Sequence, residues 1–590
     1  MTFLGLSCIA GYENLAVWAD LLDRINIFPV ADGDTGTNLR ISLAPLRDCN
    51  TDMAAAITRL SRSASGNSGN IASVFFREFL QAHGMVDLAR QAEIGRDQAW
   101  AAIAAPCAGT MLGLFDALCL AFQTAASEEL NFFSIRRQLQ EAVLATSHQL
   151  PDLQRAGVVD SGALGMFIFF DAFLQQLIGE QQYGGPSSIL GATSTGAFRP
   201  GACPVSDLFA GKLQVSPAFV GQATADYCVE AVLLARRQQP DVMAQIGRLG
   251  DSAVVVPDRS RIKVHIHTPD PERLRQDLSS LGEVVHWSDE AMGPMVEGGR
   301  KGGASGKAIR IMSDAAGSLP REMARQHGIT LLDSYIMAED QARPESLFSP
   351  EQLYPLMTNG VRVTTAQAST HERHLHYQAV CQQFDRVLYL CVGSAFTGNY
   401  GTAQAWKREN DPEDRFLVLD TGAASGRLAV IALLTARRAG EEAPAPEVIA
   451  LARSLTEDAQ EYIFLHELKY LVAGGRVSRT KGFFADLLHM KPVISPTREG
   501  VRKVGVVKNR REQLAFALDR LATHARKDRS LFILLQYSDN REWLQEIVAE
   551  QVRSAMPEAE IQLVPLSLTS GVHMGPGTWA MAFAEKEGGC

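Results

Sequence analysis

Asn26-Ile27-Phe28-Pro29-Val30-Ala31-Asp32-Gly33-Asp34-Thr35-Gly36-Thr37-Asn38 is the stretch of this 590-residue chain that says most about its fold. It precedes a helical pattern. Asp32 and Asp34 are two hard oxygen ligands separated by a glycine, which lets the backbone turn so that both carboxylates face one cation. Oxygen-rich sites suit magnesium, which commonly bridges protein carboxylates and nucleotide phosphates. A surface Asp-Gly turn is the plainer reading of the short string alone. A calcium loop is excluded, because position 37 is Thr where that loop wants Gly and position 43 is Leu where it wants Glu.

Three further strings of small residues follow: Ser65-Gly66-Asn67-Ser68-Gly69, Ala108-Gly109-Thr110-Met111-Leu112 and Gly157-Val158-Val159-Asp160-Ser161-Gly162-Ala163. Glycines with small polar neighbours let backbone amides approach phosphate oxygens. Each alone reads equally well as a tight turn. No Walker A loop is present; the nearest string, at Gly306-Lys307, is followed by Ala308.

The chain is too long for one hydrophobic core and suggests about three or four domains. Its net charge of −10 argues against a nucleic-acid binder. The start, residues 1–14, lacks the basic and apolar runs of a signal peptide. The apolar stretches Ala99–Ala126 and Ala163–Ile178 carry Asp116 and Asp171, so buried bundle helices are expected rather than membrane spans. Nine scattered cysteines without a CxxC pair fit reduced thiols and a cytoplasmic location.

Two segments rich in small residues, Tyr183–Asp207 and Gly293–Lys307, read as linkers. Before the first, apolar residues recur at helical spacing, as in Leu15–Ile25 and Phe115–Phe122. Between the linkers, Ser252–Pro257 and Ile262–Thr268 look like strands. After the second, the strand-like runs Ile309–Met312, Arg386–Val392, Arg415–Leu419 and Leu531–Leu535 alternate with helical segments, an α/β pattern.

In the middle part, His265 and His267 lie two apart on an expected strand and so share a face. With Cys228 they form a zinc-type ligand set. An isolated His-x-His is more often a polar strand face. In the last part, hydroxyls, an arginine and a histidine suit a bound carboxylate. They stand in Thr364-Thr365-Ala366-Gln367-Ala368-Ser369, Gly393–Tyr400 with Thr397 and Gly398, Leu471–Ser478 with Arg476, and Gly571–Thr578 with His573. Each cluster singly reads as a loop or helix cap.

Taken in order, the four N-terminal strings resemble the nucleotide-binding domain shared by bacterial fatty acid kinase and the dihydroxyacetone kinase L-subunit, over roughly residues 8–180. YCVEAVLLA, LGDSAVVV and KVHIHTPDP resemble the middle domain of the catalytic chain of fatty acid kinase. LVAGGRVS, LLHMKPVISPTREGVRKV and GVHMGPGT resemble the DegV family of fatty-acid-binding proteins across residues 308–590.

The resemblance implies a multidomain chain. Residues 1–190 would form an all-α helical barrel kinase domain, 208–292 a small α+β middle domain, and 308–590 an α/β DegV-like lipid-binding domain. Asn26, Asp32 and Asp34 would hold Mg2+. Gly66, Asn67, Ser68, Gly69, Thr110 and Met111 would line the ATP phosphates, with Asp160, Ser161 and Gly162 near the nucleoside. Cys228, His265 and His267 would bind structural Zn2+, the fourth ligand staying open among Asp226, His286 and water. Thr365, Thr397, Gly398, Arg476 and His573 would surround a fatty acid carboxylate. The family's Thr-Ser-Gln-Pro-Ser reads Thr365-Ala366-Gln367-Ala368-Ser369 here, and its Asp-Ser reads Asp314-Ala315.

Kinase and lipid carrier are normally separate proteins, so the chain reads as a natural fusion. The implied function is an ATP-dependent phosphotransferase with a carboxyl acceptor, in which Asp32, Asp34, Arg476 and His573 serve catalysis. Its acyl phosphate would feed an acyltransferase of phospholipid synthesis. A dihydroxyacetone-type kinase and a non-catalytic fatty acid carrier or sensor are the alternatives. Families of this kind often dimerise, so a homodimer is expected.

Overall fold

The computed structural model describes residues 3–126, 131–183, 204–220, 227–235, 239–258, 260–291, 309–338, 341–473, 491–524 and 530–586. The chain divides into two compact units, 1–300 and 301–590.

The first unit opens with helices α1 (Gly5–Arg24), α2 (Thr35–Leu43), α3 (Met53–Ser63), α4 (Gly66–Phe79), α5 (Met85–Ala101), α6 (Met111–Ala126), α7 (Phe132–Gln149), α8 (Pro151–Ala156) and α9 (Ser161–Tyr183). Its core is aromatic. The Phe75 ring stacks on Phe115 with centroids 4.0 Å apart, and Phe76, Phe79, Phe169, Phe170 and Phe173 continue the cluster. A helix apolar on all sides must be buried within protein or lipid. The segment Ser161–Gly179 of α9 is long and apolar enough to cross a membrane, and 83% of its apolar window is buried among the other helices. Asp171 on this helix is held by Arg136 of α7 at 2.7 Å. Burial pushes its carboxyl upward in pKa despite that partner.

The same unit continues into a four-stranded antiparallel sheet of β1 (Tyr227–Ala235), β2 (Asp251–Asp258), β3 (Arg261–Thr268) and β4 (Gly282–Ala291), in the order β2-β3-β1-β4. One face packs Val229, Ala231, Leu233, Ile262, Val264 and Ile266 into its own core. The other face of β1 and β3 carries Cys228, Glu230, Lys263, His265 and His267, because alternate residues point to opposite sides. This sheet joins the helices through backbone: Val255 N donates to Ala102 O at 2.8 Å, and Ala104 N to Ala253 O at 3.1 Å.

The second unit is a layered α/β fold. A parallel sheet runs in the order β11 (Phe416–Asp420), β10 (Arg386–Cys391), β5 (Ile309–Asp314), β6 (Ile329–Leu332). A mixed six-stranded sheet runs β14 (Gly500–Val507), β13 (Lys491–Thr497), β12 (Gln460–Phe464), β17 (Trp579–Glu585), β15 (Leu531–Tyr537), β16 (Glu560–Pro565). The helix Ser425–Gly440 lies between them and shares one core cluster with strands of both. Glu461 of β12 is buried at its N-terminus and accepts from Gly426 N at 2.9 Å and Arg427 N at 3.1 Å. A small antiparallel sheet, β8 (Gln341–Pro344), β7 (Ser334–Ala338), β9 (Val363–Gln367), completes the unit.

Candidate active site and metal centre

The stretch Asn26–Asn38 forms the turn from α1 into α2. Asp23, near the end of α1, accepts from Thr37 N at 3.0 Å and Thr37 Oγ1 at 2.7 Å. A carboxylate thereby satisfies an orphan amide in the first turn of α2. Gly33 has φ of 70°, so the Asp-Gly-Asp turn takes the left-handed backbone the sequence reading asked of it.

Half-buried and close together, Asp32 and Asp34 repel each other. Burial, followed by the charge of Asp32, lifts Asp34 to about 7, and burial also raises Asp32. Asn26 donates to Asp32 through Nδ2. Its Oδ1 accepts from Thr35 Oγ1 at 2.8 Å and from Ser161 Oγ at 3.2 Å. Two carboxylates that resist ionising beside each other, with an amide oxygen alongside, are a donor set that fits a hard divalent cation.

The other N-terminal strings converge on this turn. Ser68 Oγ lies 3.3 Å from Thr35 Oγ1. Gly66 opens α4 with φ of 62°, and a Cβ there would stand 2.0 Å from Asn38 Nδ2, so only glycine fits. Asn67 Oδ1 in the same loop is buried without a hydrogen-bond partner. Asp160 is buried, caps α9 through Ala163 N at 2.7 Å, and also bonds the Met111 amide. It thus fixes the starts of α6 and α9 beside each other, while burial lifts it to about 7. Thr110 Oγ1 turns back to Cys107 O at 2.9 Å, and Gly162 sits against Met111. Asp160 is therefore a cap, with Ser161 as the member of its string that touches Asn26.

Cys228, His265 and His267 come together on the sheet face that looks toward these helices, their ligand atoms all within 4.8 Å. Cys228 Sγ is 3.8 Å from His265 Nδ1, and the two Nε2 atoms are 3.3 Å apart. Burial, then His265, lowers His267 to about 4, which keeps that imidazole neutral, the ligating form. His267 Nδ1 is buried without a partner. Burial pushes the Cys228 thiol up to about 12, with Asp34, Glu230 and Asp32 adding to it. A soft thiol and two imidazoles fit zinc. Among the described residues the group closes at three; His286 is not in it, and Asp226 lies outside the described residues.

Glu230 gave no sequence signal, yet it links the two centres. It accepts from Gly66 N at 2.9 Å and lies 3.7 Å from His265 Nδ1. Burial opposes its ionisation, but His265, Lys263 and the Gly66 amide together hold it at about 2. Only the pairing register, which sets Glu230 opposite His265, exposes this role.

In the second unit, Thr365 of β9 and His573 of the helix Leu568–Met574 meet: Oγ1 lies 3.0 Å from Nε2, across 208 residues of chain. That helix is fastened by buried Glu345, which accepts from Thr569 N at 3.0 Å and Oγ1 at 2.7 Å. Thr397 and Gly398 stand in the loop after β10. Thr397 Oγ1 accepts from Asn399 N at 3.3 Å. Arg373 ties this loop to β9, donating to Asn399 Oδ1 at 2.9 Å and Gln367 Oε1 at 3.2 Å. Asn399 Nδ2 in turn donates to the buried Asp314 at 2.8 Å. The sequence reading missed Arg373 and Asn399, which sit in ordinary helical pattern. Arg476 lies outside the described residues.

Three family models match: the DAK2 domain at residues 29–175, the FakA-like middle domain of fatty acid kinase at 224–297, and the DegV family of uncharacterised proteins at 308–586. An uncharacterised protein of Staphylococcus saprophyticus is 30% identical over 308 residues, 48% of this chain and 53% of that one. Protein YloV of Bacillus subtilis is 27% identical over 308 residues, 48% and 54% of the respective chains. The chain thus spans about half the length of these relatives. Among solved structures, a DegV family protein described as fatty acid binding, from Thermus thermophilus, is 21% identical with a TM-score of 0.44, covering 47% of this chain and 99% of that one. DegV of Bacillus subtilis, described as a fatty acid binding protein, is 20% identical with a TM-score of 0.44, covering 48% and 100%.

Proposed function

We propose that this polypeptide, which carries a DAK2 domain, a fatty acid kinase-like middle domain and a DegV domain in one chain, is a self-contained fatty acid kinase. The observation that carries the reading is that one chain holds both a paired-carboxylate centre at Asp32 and Asp34 and a Thr365–His573 pair in a DegV domain.

ATP is the donor and a fatty acid carboxylate the acceptor. A carboxylate oxygen forms a bond to the γ-phosphorus as the bond from that phosphorus to the β,γ-bridging oxygen breaks, giving acyl phosphate and ADP. Free carboxyls titrate around pH ~4–5, so no general base is needed. Catalysis then consists of positioning and charge neutralisation. Asn26, Asp32 and Asp34 would hold Mg2+, which supplies positive charge to the phosphates. Asn67, Ser68 and Gly69 at the start of α4 offer amides to the phosphates, the Gly66 amide being taken by Glu230. Cys228, His265 and His267 would hold Zn2+ as a structural centre. Thr365 and His573 orient the acceptor carboxylate, with Thr397, Gly398 and Arg476 assigned to the same pocket by resemblance.

Joining donor site and carrier in one chain raises the acceptor's local concentration to roughly millimolar for a short flexible linker. Acyl phosphate is a mixed anhydride and would be consumed by an acyltransferase in phospholipid synthesis. A cytoplasmic enzyme is the location in which thiols such as Cys228 stay reduced.

The test is incubation of the purified chain with Mg-ATP and oleate, palmitate or dihydroxyacetone, followed by hydroxylamine. A fatty acyl hydroxamate is the expected product. Phosphorylated dihydroxyacetone would replace this reading by the other kinase. ATP binding and lipid retention without hydroxamate would replace it by a carrier or sensor.

A further inference from the structure

Helices α3 and α4 and strands β1 and β3 line a cavity of about 260 Å3 whose wall includes neither Asp32 nor Asp34. A water's share of liquid volume is about 30 Å3, so the space holds a hydrated small ion. Four cationic side chains, Arg62, Arg77, Arg261 and Lys263, line it together with His286 and a single carboxylate, Glu230. Arg62 and Arg261 are exposed and make no ion pair among the described residues. Arg77 donates to Pro257 O at 3.4 Å and pairs with Glu78 at 3.4 Å, and Lys263 donates to Ala64 O and interacts with Glu230, so the uncompensated charge is that of Arg62 and Arg261. The turn of α4 facing the cavity presents Asn70 and Ser73, 2% and 4% exposed, whose Oδ1 and Oγ have no hydrogen-bond partner.

The two unpaired cations on this cavity, Arg62 and Arg261, attract a polyvalent anion most strongly. Ser73 adds a donor. Asn70 Oδ1 and Glu230 are acceptors, which favour an oxyanion that still carries a proton. Inorganic phosphate keeps at least one at neutral pH, whereas a phosphomonoester, with a second pKa of about 6, has mostly lost its last one. Sulfate has none to give.

We propose that this cavity is a binding site for inorganic phosphate, distinct from the nucleotide phosphate site. The inference stands independently of the acceptor in the kinase reaction.

Isothermal titration of the full chain, saturated with magnesium and a non-hydrolysable ATP analogue, tests it with inorganic phosphate, methyl phosphate and sulfate as probes. One phosphate site is expected, with sulfate at least tenfold weaker. Methyl phosphate, mostly without its proton at about pH 7.5, should bind more weakly than inorganic phosphate, and tighter binding of methyl phosphate overturns the proposal. The double variant Arg62→Ala/Arg261→Ala changes two exposed side chains and should weaken phosphate at least tenfold. Ser73→Ala should weaken it as well, and Asp34→Asn should leave it unchanged. No phosphate heat, sulfate binding as tightly as phosphate, or an unchanged affinity in the double variant overturns the proposal.

Discussion

Asp34→Asn should make the protein more stable while making it inactive. Burial and Asp32 lift the Asp34 carboxyl from its ordinary value near 4 to about 7. A group raised in this way binds its proton more tightly in the folded state, so the fold loses stability as pH climbs from about 4 to about 7, and the loss is complete above that. The corresponding free energy is about 4 kcal/mol. Relaxation of the pair and sharing of the repulsion with Asp32 reduce it to about 2 kcal/mol at pH 8. For a folding unit of some hundreds of residues this is worth about 5 °C in melting temperature. Asparagine keeps the shape and removes the charge. Thermal melts of the metal-free protein at pH 5 and pH 8 should show the gain at pH 8 and little of it at pH 5. Magnesium should raise the melting temperature of the parent protein at pH 8 far more than that of the variant. Fatty acid retention should be untouched and phosphorylation lost. A variant that melts lower than the parent at pH 8 without metal, or that responds to magnesium equally, would refute the paired-carboxylate reading.

Gly66→Ala places a methyl group 2.0 Å from Asn38 Nδ2 at a left-handed position, and should cost about 1–3 kcal/mol and raise KM for ATP, as read by thermal melts and steady-state kinetics. Glu230→Gln removes the charge that meets Gly66 N and His265; kcat should fall at least fivefold and zinc content should drop, whereas full zinc occupancy with unchanged kcat would show that the carboxylate couples nothing. Cys228→Ser should lower bound zinc by metal analysis of the purified protein, with no effect expected on fatty acid retention. Thr365→Val and His573→Ala should each weaken fatty acid binding at least tenfold in a fluorescent-lipid displacement assay while ATP binding persists.

Much of the architecture was legible because its signals are local. The helical spacing of Leu15–Ile25 matches α1 up to its C-cap at Ile25, Phe115–Phe122 falls within α6, and Ser252–Pro257 and Ile262–Thr268 fall within β2 and β3. The edge strand β4 was not read, since its burial alternates poorly and most of its residues are exposed. The apolar run of β1, Ala231–Ala235, fits a buried helix as well as a strand, and only pairing with β3 decides. At the site, the Asp-Gly-Asp turn and the small-residue strings were visible as sequence. Their convergence on Asn26 was not, because it is made by contacts such as Ser161 to Asn26 across 135 residues. Asp160 shows the limit of reading a motif by residue type: the acid in the string is a cap, and the adjacent serine reaches the centre. Glu230, Arg373 and Asn399 act through register and tertiary contact, for which the sequence carries no periodic mark.

The helix Ser425–Gly440, enclosed between the two large sheets of the second unit, sets how that unit must assemble. Neither sheet has a finished inner surface until this segment is in place, and every residue from Leu428 to Ala436 is buried once it is. Partners such as Ile311 and Leu534 are about a hundred residues away on opposite sides of it in the chain. Closing such distant contacts is slow, and it leaves little room for a half-built species. The amides of Leu428–Leu433 should therefore exchange with deuterium only through opening of the whole unit, and should report its global stability. Deleting either sheet should leave the other as an aggregating fragment rather than a smaller domain.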